Sequence, residues 1–179
     1  MSENLRNLTK AVYGMDHVVK SVPADRWDRP SPCAEWAAKD VLLHAAGVLR
    51  IIEGMARGSA PAPAEGDPAK AWAATRDAVL ESLDHDHVLG KVVASPFGEM
   101  PMDNVIGILF ADTLTHTWDL ARAVSGDDRL APDLVDIAHA GLVPLDQAIR
   151  GPGRFAEKVP EAPGDDAQTR FLKFLGRKT

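Results

Sequence analysis

The chain has little that would staple or anchor it. Its 179 residues include one cysteine, Cys33, so no disulfide can close within it. A single thiol fits a reducing compartment. No apolar run approaches the roughly 18 residues of a membrane span. The opening Met1-Ser2-Glu3-Asn4-Leu5-Arg6 lacks the apolar core of a signal peptide. The expected location is therefore the cytoplasm, with no membrane partner. An excess of positive charge is also missing: 20 Lys and Arg against 26 Asp and Glu leave a net charge of −6. With no basic stripe, nucleic acid is excluded as a partner class. Gly151-Pro152-Gly153 lacks the Lys-Ser/Thr and strand context of a phosphate loop, and there is no nucleophilic serine motif. The patterning is helix-dominant, which argues against a parallel-sheet fold.

What is present is helical periodicity in a chain with 45% hydrophobic residues, enough to bury a core. Leu5, Leu8, Val12, Met15 and Val22 recur at helical spacing behind Ser2, predicting a helix over 3–20 with a serine cap. A loop punctuated by Pro23, Pro30 and Pro32 leads to a second helix from about Ala37 to Arg57, with Asp40 in its first turn. Asp67-Pro68 starts a third, reaching about Leu83. Val92-Val93 and Pro96-Phe97-Gly98 suggest a short hairpin or extended loop. A fourth long helix runs from Asp103 to about Ser125 and stops at Gly126. Pro132 opens a further helix that Pro144 is expected to kink, and a last one spans Asp166 to Leu175. The expected fold is all-α: a four-helix bundle with short C-terminal helical decoration, one domain over 1–179.

Two helices carry polar gaps in apolar stripes. One stripe is Val105, Leu109, Asp112, His116, Leu120 and Ala123; the other is Val41, His44, Val48, Ile51 and Met55. Positions four apart share a helix face. A buried, unsatisfied polar group costs on the order of 2–7 kcal/mol. Both gaps are explained together if they face each other, placing His44, Asp112 and His116 around one metal ion. The bland alternative is an Asp112–His116 pair with His44 on a backbone carbonyl. Val41, Val48, Ile51, Val105, Leu109 and Leu120 are then expected in the core.

The residues around these gaps form motifs. Pro32-Cys33-Ala34-Glu35-Trp36, followed by Asp40-Val41-Leu42-Leu43-His44, resembles a signature of the mycothiol-dependent maleylpyruvate isomerase N-terminal domain group, within the DinB-like superfamily. Asp112 and His116-x-Trp118-Asp119-Leu120-Ala121 resemble its second signature. Phe97-Gly98-x-x-Pro101, Arg154-Phe155 and Arg170-Phe171-Leu172 resemble an actinobacterial subgroup of metal-binding proteins. The resemblance implies a DinB-like bundle with an up-down-down-up course. It implies a divalent metal, zinc first and nickel second, held by His44, Asp112 and His116; the isomerase proper has a glutamate where this chain has Asp112. It also implies mycothiol as a thiol cofactor.

Three protein donors leave a coordination position open, as catalytic rather than structural zinc sites do. The leading expectation is a metal- and thiol-dependent transferase or isomerase acting on a small electrophile. The alternative is a non-catalytic metal-binding or regulatory module. A homodimer is left open. Asp119 is read either as a carboxylate orienting His116 or as an ion-pair partner of Arg122. Trp36 and Trp118 are read as walls of the pocket or as core. Cys33 is read as a buried structural thiol. His17 and His139 are expected on the surface, and His85 and His87 in solvent.

Overall fold

The computed structural model describes every residue except 61, 96, 152 and 153, and of Asp86 the backbone alone. Pro96 of the expected turn and the pair Pro152-Gly153 thus lie outside the described residues. Regular structure among the described residues is seven α-helices and one two-stranded hairpin. No described helix is long and apolar enough to cross a membrane. The chain divides into two compact units, Met1–Asp128 and Arg129–Thr179.

The first unit opens with α1, Glu3–Ser21, whose cap is Ser2; the hydroxyl accepts from the Leu5 N–H at 3.1 Å. Leu5, Leu8, Ala11, Val12, Met15 and Val19 form its buried face. Helix α2 spans Ala38–Arg57, and the Asp40 carboxylate accepts from the Ala37 N–H at 2.9 Å to close its first turn. Helix α3, Pro68–Leu83, starts at the cap read from Asp67, which accepts from the Lys70 N–H at 2.9 Å. A short α4, Asp86–Leu89, precedes the antiparallel strands β1, Val92–Ser95, and β2, Gly98–Pro101. Helix α5, Met102–Val124, ends one residue before the expected stop. The left-handed residue is Ser125, at φ 59, and the Gly126 N–H then reaches the Ala121 carbonyl at 2.8 Å.

Helix α1 packs on α5 and α3, and α2 packs on α3 and α5. Asn4 donates to the Asp103 carbonyl at 3.1 Å, placing the starts of α1 and α5 together. A Cβ on Gly107 of α5 would lie 2.9 Å from the Asn4 side-chain amide, which would have to shift to admit it. Arg57 reaches Glu81 at 3.1 Å, pairing the ends of α2 and α3. Arg76 of α3 bonds Asp16 of α1, whose carboxylate also holds Lys20 at 2.7 Å.

The core faces differ from the expected stripes. Val41, Val105 and Leu120 are buried, but Val48 and Leu109 are half-buried and Ile51 is 45% exposed. Helix α2 buries Ala38, Val41, Leu42, Ala45, Ala46, Leu49 and Ile52, because it must cover both α3 and α5. That face is rotated from the one containing His44 and Ile51. From Thr113 to Ala121, α5 is buried on every side, so periodicity there could not single out a face.

In the second unit, α6 spans Pro132–Leu142 and α7 spans Ala167–Phe174. The kink expected at Pro144 is instead an end: a 3-10 turn, Val143–Leu145, follows Leu142. Asp166 caps α7 by accepting from the Thr169 N–H at 2.7 Å. Gly176 follows α7 at φ 79, where a Cβ would lie 2.7 Å from Ala156 Cβ. His139 is not a surface residue. It is half-buried, with its ring 5.1 Å from that of Phe174 and 6.2 Å from that of Phe171.

Candidate metal centre

The loop before α2 is tied into a compact turn. The Ser31 N–H donates to the Trp36 carbonyl at 2.9 Å, and the Trp36 N–H to the Cys33 carbonyl at 3.1 Å. Ser31 Oγ accepts from the Cys33 N–H at 3.1 Å. Glu35 takes the left-handed region, at φ 67, an uncommon conformation for a residue with a side chain. The Ala38 N–H bonds the Arg29 carbonyl and the Lys39 N–H the Trp27 carbonyl, both at 2.9 Å, fixing the turn to the start of α2. Backbone bonds thereby fix the positions of Cys33 and Trp36 at the start of α2.

Beside this turn, His44 of α2 meets Asp112 and His116 of α5. One ligand-type atom from each lies within 4.8 Å of the others, so the three residues expected from the sequence do come together. The His44 and His116 rings lie 4.8 Å apart at 75°. His116 Nε2 is 3.6 Å from Asp112 Oδ1, while Nδ1 is 2.9 Å from Asp119 Oδ2. The two nitrogens thus face different carboxylates. If Nδ1 carries the proton for Asp119, Nε2 presents its lone pair to His44 and Asp112, which is the arrangement of a metal-binding histidine backed by a carboxylate.

Burial is graded across the group. Asp119 is fully buried and His116 nearly so, whereas His44, Asp112 and Cys33 are half-buried. Burial opposes protonation of His116, but the Asp112 charge and the hydrogen bonds that the ring makes to Asp112, Asp119 and Cys33 outweigh it. The net effect holds His116 well above the ordinary histidine range.

Asp119 therefore takes the orienting arrangement and not the ion pair with Arg122, which instead bonds Asp128 at 3.1 Å and lies over Trp118. Trp36 lies against the group, its ring 4.8 Å from His44 and 6.1 Å from His116. Trp118 is core, 2% exposed. Cys33 corrects the reading as a buried structural thiol. It is half-exposed, and its Sγ donates to Asp119 Oδ2 at 3.2 Å. Cys33, His116 and Asp119 form a second set of ligand-type atoms within 4.8 Å. The signal for this in the sequence was Cys33 standing three residues before Trp36 in one proline-flanked loop. His17, His85 and His87 are exposed and take no part.

Two clefts of the first unit lie elsewhere. One of 430 Å³ is bordered by His17, Arg26, Ser125 and Asp127, and one of 340 Å³ by Ile51, Met55 and Gly58; neither includes a residue of the group.

Residues 8–121 match the family model described as the mycothiol maleylpyruvate isomerase N-terminal domain. That span contains Cys33, His44, Asp112, His116 and Asp119. Uncharacterized proteins of two strains of Mycobacterium tuberculosis, CDC 1551 / Oshkosh and ATCC 25618 / H37Rv, are each 32% identical over 166 residues, covering 89% of this chain and 90% of the relative. No solved structure gives a significant match.

Proposed function

The chain belongs to the mycothiol maleylpyruvate isomerase N-terminal domain family, and from that premise we propose that it is a divalent-metal protein acting with a small-molecule thiol. The metal is held by His44, Asp112 and His116, with zinc the first choice and nickel the second. The observation that carries this is the convergence of two imidazoles and a carboxylate within 4.8 Å, one imidazole already braced from behind by Asp119. Nitrogen and oxygen donors in that mixture suit either metal. These three residues would hold the ion and leave it room to supply Lewis acidity, which would favour the thiolate form of a small-molecule thiol.

The chain's own residues support that chemistry in distinct ways. Asp119 accepts from His116 Nδ1 and directs Nε2 toward His44 and Asp112. Asp112 brings negative charge to the group. Trp36 covers one side of His44 with an apolar face, which limits water there. We read α1, α2, α3 and α5 as a DinB-like four-helix bundle with an up-down-down-up course. The paired starts of α1 and α5 and the paired ends of α2 and α3 support that reading. The family name points to mycothiol as the thiol, and transfer or isomerisation of a small electrophile is the reaction class.

A second reading, a non-catalytic metal-binding or regulatory module, is favoured by one observation: the two clefts described above avoid the group. Metal analysis of the purified chain, followed by turnover assays with mycothiol and a panel of electrophiles, separates the two. Bound metal with thiol-dependent turnover supports the enzyme; bound metal without it supports the module. A chain that takes up no divalent ion loses both.

A further inference from the structure

Cys33 is the group's one donor that the metal reading leaves unused. Its Sγ lies 3.2 Å from the same carboxylate oxygen, Asp119 Oδ2, that holds His116 Nδ1 at 2.9 Å. It falls in a set with His116 and Asp119, whereas the set with His44 and Asp112 excludes it. Cys33 therefore stands on the Asp119 side of the imidazole, within reach of both the carboxylate and the ring.

Resting on the metal-binding reading above, we infer that Cys33 is a positioning residue of the centre: its S–H bond fixes the Asp119 carboxylate, and through it the His116 ring. Asp119 is fully buried on α5, so its carboxylate has no bulk water to settle it. Cys33 and His116 Nδ1 both direct hydrogen at Oδ2, which sets the carboxylate's rotation from two sides. The turn from Ser31 to Trp36 supplies rigidity at the other end, since its backbone bonds pin Cys33 to the start of α2, the helix that carries His44. One chain of contacts thus runs from the loop through Cys33, Asp119 and His116, and the loop sets how well α2 and α5 present their donors together. Removing a group that supports a metal ligand from behind typically weakens binding by roughly 10- to 100-fold. Cys33 supports the ring and its carboxylate from the side of the loop, so a loss at the lower end, about tenfold, is expected.

The test is zinc titration of the full chain against a chromogenic chelator. Cys33→Ala should bind about tenfold more weakly. Cys33→Ser, which keeps a hydrogen-bond donor, should recover most of that loss. Asp119→Asn should be weaker still. Adding Cys33→Ala to Asp119→Asn should cost nothing more, because residues in one network are not additive. A residue of merely structural importance would instead add its loss to that of Asp119→Asn. Cobalt in place of zinc should show no sulfur-to-metal charge-transfer band, since the thiol is not a ligand.

Cys33 is the only cysteine, so methyl methanethiosulfonate can also replace its S–H hydrogen by S–CH3, with methanesulfinate leaving. The modified wild type should match Cys33→Ala and recover with dithiothreitol, which keeps the test valid if Cys33→Ala does not fold. Wild-type affinity in Cys33→Ala or in the blocked protein, additive losses in the double variant, or a sulfur–cobalt band would each overturn the inference while leaving the metal site standing. A wild-type chain that binds no zinc would overturn the metal site and this inference with it.

Discussion

His116→Ala is the most informative single substitution, because it touches stability and metal binding in separable ways. His116 stands between two carboxylates, with Nδ1 2.9 Å from Asp119 and Nε2 3.6 Å from Asp112. Truncating it takes away the imidazole nitrogen that lies 2.9 Å from the fully buried Asp119 carboxylate. Leaving a buried polar group under-satisfied costs about 1–3 kcal/mol, more when it is charged. The metal-free variant is therefore less stable on grounds unrelated to metal. The quantity to read is the shift that zinc produces in each protein, not the absolute melting temperature. An ion that binds only the native state at a thousand times its Kd stabilises by roughly 4 kcal/mol. For a chain of this size that corresponds to about 8–16 °C. Wild type should show that shift and His116→Ala almost none of it. His17→Ala is the proper control, since His17 is exposed, whereas His139 is packed against two phenylalanines. The assay is differential scanning calorimetry with and without zinc, beside metal content by atomic emission. An equal zinc shift in His116→Ala and wild type would refute the assigned donors. Metal loss with thiol-dependent turnover retained would spare the site and refute the mechanism.

Three further outcomes follow from packing and charge. Burial raises the Asp16 pKa, but hydrogen bonds and charge from Lys20 and Arg76 outweigh it and hold it below the usual carboxylate range. Its contribution is then present above the unfolded value near 3.8 and lost as pH falls through the folded value. Asp16→Asn should destabilise at pH 7 by the lower end of roughly 3–5 kcal/mol, since Arg76 keeps Asp77, with the deficit disappearing in acid; a pH-independent deficit in urea denaturation would contradict the charge argument. Burial lowers the His139 pKa and outweighs Glu161 and Asp136, with Arg170 acting in the same direction as burial. The unfolded chain thus gains the proton first, so the second unit should lose stability as pH falls below about 6.5. His139→Gln should flatten that slope, which hydrogen exchange of α6 and α7 can follow. Gly176→Ala should destabilise by more than about 1 kcal/mol, because φ 79 and the 2.7 Å approach to Ala156 both disfavour a side chain. A neutral result in thermal melts would show that the 154–159 segment yields easily.

Local signals carried the helix boundaries well, and for a physical reason. Ser2, Asp67 and Asp166 cap helices through bonds to backbone N–H groups three residues on, so the information sits within one turn of chain. The stop of α5 slipped by one because Ser125 itself took the left-handed conformation that Gly126 was expected to supply. The stripe on α2 was misplaced because a helix covering two neighbours buries a wide face, and which edge of it faces α5 is decided by tertiary contacts. Cys33 was misjudged for the same reason: its partner Asp119 is 86 residues away.

The misplacement of α2 bears on function. In the expected stripe His44 sat mid-face, sealed by Val41, Val48 and Ile51. In the fold it stands at the margin of that face, half-buried beside the half-buried Asp112 and Trp36. The donors are thus graded, with Asp119 and His116 inside and His44 and Asp112 nearer solvent. A purely structural ion gains most from a closed shell of donors. A centre that exchanges a thiol needs rigid support on one side and an approach on the other. The bonds of Asp119 to His116 and Cys33 lie on the inner side, and half-buried His44 and Asp112 lie on the outer one. Replacing the half-exposed Ile51 by a polar residue should accordingly leave zinc binding and stability nearly unchanged, which a sealed mid-face stripe would not permit.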